Sequence, residues 1–435
     1  MLPRTFAGAL AALALLTGSS LAQETEPRVA SVIHAGRLLA DPATGRVTTE
    51  QSILVGADGR ILGVEAGYVT REGATVIDQR SRFVLPGLID SHVHLTSELG
   101  PNQLLEEVQL TAADAALRGA ENARITVRAG FTTVADLGAS NDAIFALRRA
   151  INENRIPGPR IIASGSAVTP DGGHGDANGF APDVIDVLRS PSACSGADAC
   201  RRAVRRQIQA GADIIKITAT GGVLSNTAAG VEQQFSDDEL RAIVEAAHAM
   251  GRQVTAHAHG AGGINAALRA GVDSIEHGSY TDAESLRLFR RTRAWLVPTI
   301  LAGVTVEEMA DSGTVLTPAQ AAKAREVGTR MRQSIVNARR QGVRVAFGTD
   351  SGVSRHGINA REFQFLVEGG YTPTQAIRIA TVDAAEHLRL TGVAGRIAPG
   401  YSADIIAVDG DPTQDVETLM HMRFVMARGT TQRDD

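Results

Sequence analysis

Over residues 29–82, apolar and polar positions alternate in short stretches such as Ser52-Ile53-Leu54-Val55 and Arg60-Ile61-Leu62-Gly63-Val64, separated by turn signals such as Asp58-Gly59. A two-residue period of this kind predicts strands that bury one face. The texture returns over residues 403–408 and 424–429, so the two ends of the chain are expected to pair into one small β-sandwich. Over residues 85–390 short, wholly apolar runs alternate with longer helical segments. Strands covered on both faces lose the alternation, so these runs predict βα units around a parallel sheet. Strands are expected to begin near Leu88, Thr132, Arg160, Ile214, Val254, Ser274, Trp295 and Arg344. That succession predicts an α/β fold, a closed (β/α)8 TIM barrel over residues 85–390, with residues 23–84 and 391–435 as the two parts of the sandwich. Ser236 and Glu239, ahead of Leu240, form a capping box that fixes one helix start.

Ahead of these units, Arg4 precedes an uncharged run over residues 6–16, and Ser20-Leu21-Ala22 then offers small residues for cleavage. Residues 1–22 therefore read as a signal peptide. A spanning helix needs roughly 20 apolar residues, about twice this run. The expected mature protein is periplasmic or secreted, with no membrane attachment after cleavage.

Composition changes this picture little. The chain has 435 residues, 21% charged and 43% hydrophobic, with a formal net charge of -5. No basic block stands out; Arg201, Arg202, Arg205 and Arg206 read as a solvated helix face, so no nucleic-acid partner is expected. Cys194 and Cys200 flank a short loop-like stretch, which favours a local disulfide over two free thiols or a zinc site.

The chemistry lies at the ends of the expected strands. His92 and His94, two apart on a strand, share a face as a metal pair requires. Lys216 sits inside the apolar run Ile214-Ile215-Lys216-Ile217, where a bare ammonium is costly. It is either paired with a carboxylate or converted by carbon dioxide to a carbamate, an anion able to bridge two metals. His257, His277 and Asp350 each close a later strand. Active sites of such barrels form at the C-terminal ends of the strands, so these side chains are expected to converge. A binding protein that had lost catalysis would lack some of these ligand types, and here all are present.

Residues 84–94, with His92-Val93-His94, followed by Lys216, His257, His277 and Gly348-Thr349-Asp350, resemble the amidohydrolase superfamily with a binuclear centre. Gly130-Phe131-Thr132-Thr133-Val134, Ser236-Asp237-Asp238-Glu239-Leu240 and His257-Ala258-His259-Gly260 are most similar to its Xaa-Pro dipeptidase, or prolidase-like, group, which includes ochratoxin-hydrolysing amidohydrolases. The resemblance implies two divalent ions, zinc being the best match, with His92, His94 and Asp350 at the inner ion, His257 and His277 at the outer, and carboxylated Lys216 bridging. It implies a small-molecule amide or peptide substrate and a homo-oligomer, such as an octamer. Asp350 would also carry the proton from water to the departing amine. Prolidase-like relatives carry Tyr where this chain has His259, a candidate for contacting the substrate or its oxyanion. The loop of residues 169–179 offers His174 to a substrate carboxylate, and Arg355 is a further candidate cation. The alternative reaction is that of a lactonase or cyclic-amide hydrolase on the same metals; a one-metal deaminase would lack the lysine.

Overall fold

The structure is a computed structural model that describes residues 28–225, 230–313 and 316–435; the expected signal peptide lies outside the described residues. The first strands are β1 (Val29–Leu38), β2 (Thr48–Gly56), β3 (Ile61–Ala66) and β4 (Thr75–Pro86). The chain then enters the barrel with β5 (Leu88–Val93), β6 (Phe131–Asp136) and β7 (Arg160–Ala163). Two short strands, β8 (Thr169–Pro170) and β9 (Ala193–Cys194), pair with each other at the base of an excursion that follows β7. The barrel continues with β10 (Ile215–Thr218), β11 (Val254–Ala258), β12 (Ser274–His277), β13 (Trp295–Val297) and β14 (Arg344–Val345). The far end supplies β15 (Ile405–Val408), β16 (Met422–Ala427) and β17 (Thr430–Asp434).

The barrel strands start within one residue of the expected positions. β5, β6, β10, β11 and β12 are buried at every position, which is why their sequences read as unbroken apolar runs. The sheet closes on one side where Ser91 N donates to Phe347 O at 2.8 Å and Asp350 N to His92 O at 2.7 Å. On the other side Val168 N donates to Lys216 O at 2.8 Å. Both closures are made beside residues expected to carry chemistry.

The two chain ends form one β-sandwich unit in the order β17-β16-β15-β4-β1-β2-β3. Its core takes Ile33, Ile53 and Val84 from one end and Ile405, Phe424 and Met426 from the other. β4 runs past the expected boundary to Pro86, paired with Ile405 of β15. The run there serves both cores, Val84 packing in the sandwich and Leu85 in the barrel. Between β4 and β5 stands Gly87, where a Cβ would lie 2.1 Å from Thr132 Oγ1, so the passage admits only glycine.

The capping box is formed: Ser236 Oγ accepts from Glu239 N, and Glu239 Oε2 accepts from Ser236 N at 2.8 Å. Cys194 and Cys200 are bridged, their Cα atoms 5.2 Å apart, which ties β9 to the helix Ala197–Ala210. That helix buries Ala203, Val204 and Gln207 and turns Arg202, Arg205 and Arg206 outward.

Candidate metal centre

The parallel pairing of β10, β11 and β12 sets His257 beside Glu276 and Thr218, and His277 beside Ala258, so Lys216, His257 and His277 face one end of the barrel. β5 brings His92, with His94 one residue past its end. The segment after β14 returns Asp350 to them: its Oδ1 lies 3.4 Å from His92 Nε2 and 3.1 Å from His94 Nε2. Lys216 Nζ is 3.1 Å from His92 Nε2. Two clusters result, each with ligand atoms within 4.8 Å of one another: His92, His94 and Asp350; and His257, His259 and His277. All six expected ligands are together, and His259, expected as a substrate contact, joins the outer cluster with its ring stacked 4.8 Å from that of His277.

Each imidazole is held by one nitrogen, leaving the other for an ion or, at His259, for substrate. His92 Nδ1 donates to Glu276 Oε2 at 2.9 Å, His94 Nδ1 to Gly138 O at 2.8 Å, and His257 Nε2 to Gly221 O at 3.2 Å. His277 Nδ1 pairs with Thr299 Oγ1 and His259 Nδ1 with Ser279 Oγ, both at 2.7 Å. Anchoring of this kind fixes the tautomer and aims the free lone pair, so the donor set fits a pair of divalent ions. Burial, joined by neighbouring positive groups, holds His92, His257 and His277 well below the ordinary imidazole range, hence neutral and able to ligate. Burial likewise lowers the Lys216 amine, against the pull of Glu276 and Asp350. Burial also pushes Asp350 up, but His92, His94 and Lys216 outweigh it and hold the carboxyl at about 2.

A cavity of about 470 Å³ opens over both clusters. Its far wall is aliphatic, with Leu188, Val223, Leu224, Val306, Val327 and Met331. Among the described residues its charged linings are Lys216 and Asp350 alone. His174 does reach it, with its ring 4.3 Å from that of His257. Arg355 does not: Ser354 is drawn inward, its carbonyl accepting from Gly352 N at 2.9 Å, and Arg355 is turned out to solvent. The neighbouring His356 points away from the cavity, toward Ser97 O at 3.3 Å. His34, His248, His387 and His421 all lie apart from the cavity wall.

Sequence reasoning passed over Glu276, Thr299 and the buried Asp90. Glu276 had a signal, a carboxylate within the apolar run Ile275-Glu276-His277. Asp90 accepts from His92 N at 3.1 Å, Thr349 Oγ1 at 2.6 Å and Asn359 Nδ2 at 2.8 Å, and so binds β5 to the Asp350 loop.

The chain is 32% identical to ochratoxinase of Aspergillus niger over 422 residues, covering 92% of this chain and 85% of that protein. It is similar to the crystal structure of a Xaa-Pro dipeptidase with methionine bound in its active site, at a TM-score of 0.87 and 37% identity over 92% of this chain and 99% of that one. It is also similar to a prolidase complexed with N-methylphosphonate-L-proline, at a TM-score of 0.85 and 31% identity over 93% of this chain and 100% of that one. The family model described as "Amidohydrolase family" matches residues 83–431, from the last turn of β4 through the barrel and its histidine clusters into β17, and the chain belongs to that family.

Proposed function

We propose that this amidohydrolase cleaves the amide bond of N-acyl or aminoacyl amino acids and releases the C-terminal amino acid. The observation that carries the reading is the convergence of His92, His94, Lys216, His257, His277 and Asp350 at the floor of an aliphatic-walled cavity. His92, His94 and Asp350 would hold one ion, and His257 and His277, with His259 beside them, the other. Lys216 is shared as a carbamate: its amine forms an N–C bond to carbon dioxide and gives one proton to solvent, leaving an anion with two donor oxygens. Zinc suits these donors, and such ions lower the pKa of a water and polarise an amide carbonyl.

The protein's own groups do the rest. Asp350 takes the proton of the attacking water and delivers it to the departing amine. With Ser279 Oγ donating to its Nδ1, His259 carries its proton on Nε2 and donates it as a hydrogen bond to the carbonyl oxygen as charge develops there. The aliphatic wall holds a large apolar group, which supports admission of a bulky phenylalanine amide such as ochratoxin A, with ochratoxin alpha and phenylalanine as products. The kinship with ochratoxinase and with prolidases supports the same substrate class.

The test is to assay metal-supplemented protein on N-acyl phenylalanine, Xaa-Pro dipeptides and lactones side by side. Turnover of an amide is expected; turnover of lactones alone overturns the reading. In Lys216→Ala, activity should fall by at least about 10³-fold, since the ions then lack their shared ligand, and metal content should fall with it. Short carboxylic acids should restore part of both, and undiminished turnover would refute the carbamate.

A further inference from the structure

We infer that Asp176 is a positioning residue for substrate: its carboxylate pins together the two legs of a cover, residues 171–192, and so sets where His174 and Leu188 meet the bound molecule. The inference rests on the reading above only for the substrate used to test it.

The excursion after β7 leaves the barrel at β8 and returns at β9, and its base is firmly tied. Thr169 pairs with Ala193 and Pro170 with Cys194. Thr218 Oγ1 donates to Thr169 Oγ1 at 2.8 Å, and Ser195 Oγ donates to Asp171 Oδ2 at 2.7 Å. The Cys194–Cys200 bridge joins this base to the helix Ala197–Ala210. Farther out the packing thins. The helix Pro182–Leu188 has no buried residue, and its Val187 is 82% exposed. A segment that buries so little opens at low cost. Yet the excursion gives the cavity His174 and Gly175 from its outgoing leg, and Leu188, Ser190 and Pro191 from its return. These residues meet a substrate in one arrangement only if the two legs keep a fixed separation.

Asp176 supplies that fixture. Its Oδ2 accepts from Gly172 N at 2.8 Å, and its Oδ1 from Ala177 N and Ser190 N, both at 2.9 Å. The bonds to Gly172 and Ala177 close the turn that carries His174. The bond from Ser190 crosses to the return leg, two residues beyond Leu188. Hydrogen bonds to a carboxylate are stronger than those between neutral groups. Asn178 braces the same turn, its Nδ2 donating to Gly173 O at 2.8 Å and to Asp176 O at 2.9 Å. Asp176 is not part of the cavity wall, so it acts through the residues it holds.

The test uses metal-loaded wild type, Asp176→Ala and Asp176→Asn, with zinc content and unfolding midpoint followed alongside. The asparagine amide keeps one oxygen, able to accept from both Ala177 N and Ser190 N, so its losses should fall between those of the other two. Trypsin reads the cover directly. Arg189 is exposed between Leu188 and Ser190, and the rate of cleavage after it, followed by fragment mass, tracks how often the return leg opens. That rate should rise about tenfold in Asp176→Ala, the change expected on losing one hydrogen bond to a charged acceptor. On an N-acyl phenylalanine the same variant should raise KM about tenfold while kcat stays within about twofold of wild type, the pattern of lost binding contacts rather than lost chemistry. Either a wild-type cleavage rate or a wild-type KM in Asp176→Ala overturns the inference. A fall in kcat together with loss of zinc overturns it too, since Asp176 would then support the metal centre. Should the alanine variant fail to fold, the asparagine variant carries the same comparison. Should wild type cleave no N-acyl phenylalanine, the functional reading fails, while the trypsin comparison still decides whether Asp176 holds the cover.

Discussion

Glu276 belongs to neither ligand cluster, yet its carboxylate governs one of them. Oε2 holds His92 Nδ1, while Oε1 accepts from Ser274 Oγ at 3.2 Å and from the Thr255 hydroxyl. Both oxygens are fixed by neighbouring strands, so the His92 ring has one orientation and one tautomer. Glu276→Gln should therefore weaken metal binding by about 10–100-fold while the fold survives, as competition with a chelator would measure. Unchanged affinity would deny Glu276 this role. The residues that were legible in the sequence, His92, His94, Lys216, His257, His277 and Asp350, are donors that together match a known ligand constellation, whereas Glu276, near the end of β12, matches no ligand position in it. The groups that orient them are this glutamate and backbone carbonyls, a serine and a threonine, the last three being common groups whose meaning comes only from distance in space. Arg355 shows the reverse failure. Its type and place in the chain suited an anionic substrate, but the direction of a loop side chain is set by contacts of Ser354 that no local pattern records.

Among elements, the helix Ile300–Ser312 has no side-chain cap from its own N-cap residue, Thr299, which instead adopts a left-handed backbone at φ 49. Its hydroxyl is turned to His277. The open helix end is satisfied from outside, where the buried Glu362 carboxylate accepts from Ile300 N at 3.0 Å and Leu301 N at 2.7 Å. His277 and Asp350 are also left-handed, at φ 69 and φ 57. Such conformations cost roughly 1–3 kcal/mol each in non-glycine residues and persist only where the surroundings over-determine them. Glu362→Ala should lower stability by about 1–3 kcal/mol, read from the urea midpoint, because it strands two buried N–H groups. A change below about 0.5 kcal/mol would be that of an ordinary surface site. Strand starts were readable because a fully buried strand leaves an apolar run, and the capped helix because Ser236 and Glu239 sit three apart. The end of β4 was not, because Val84 and Leu85 are equally apolar while packing in different cores.

For the whole molecule, the ligands lie on both seams of the barrel: Asp350 and His92 join the last strand region to the first, and Lys216 joins β10 to Val168. Ions held by these groups would cross-link strands that are far apart in the chain. Stripping them with a chelator should lower the thermal midpoint, and a return of zinc should restore it; an ion at 100 times its Kd contributes about 2.7 kcal/mol. An identical midpoint with and without metal would contradict the assignment. The sandwich imposes a different condition. β4 has β1 on one side and β15 on the other, and β15 to β17 are synthesised after the whole barrel. Until β15 is made, the apolar stretch Phe83–Pro86 is an open edge, able to pair with another nascent copy. Translation must reach Ile405 before that edge is sealed, so a premature stop just short of it, sparing the whole reaction chamber, would still release a sticky and aggregation-prone product.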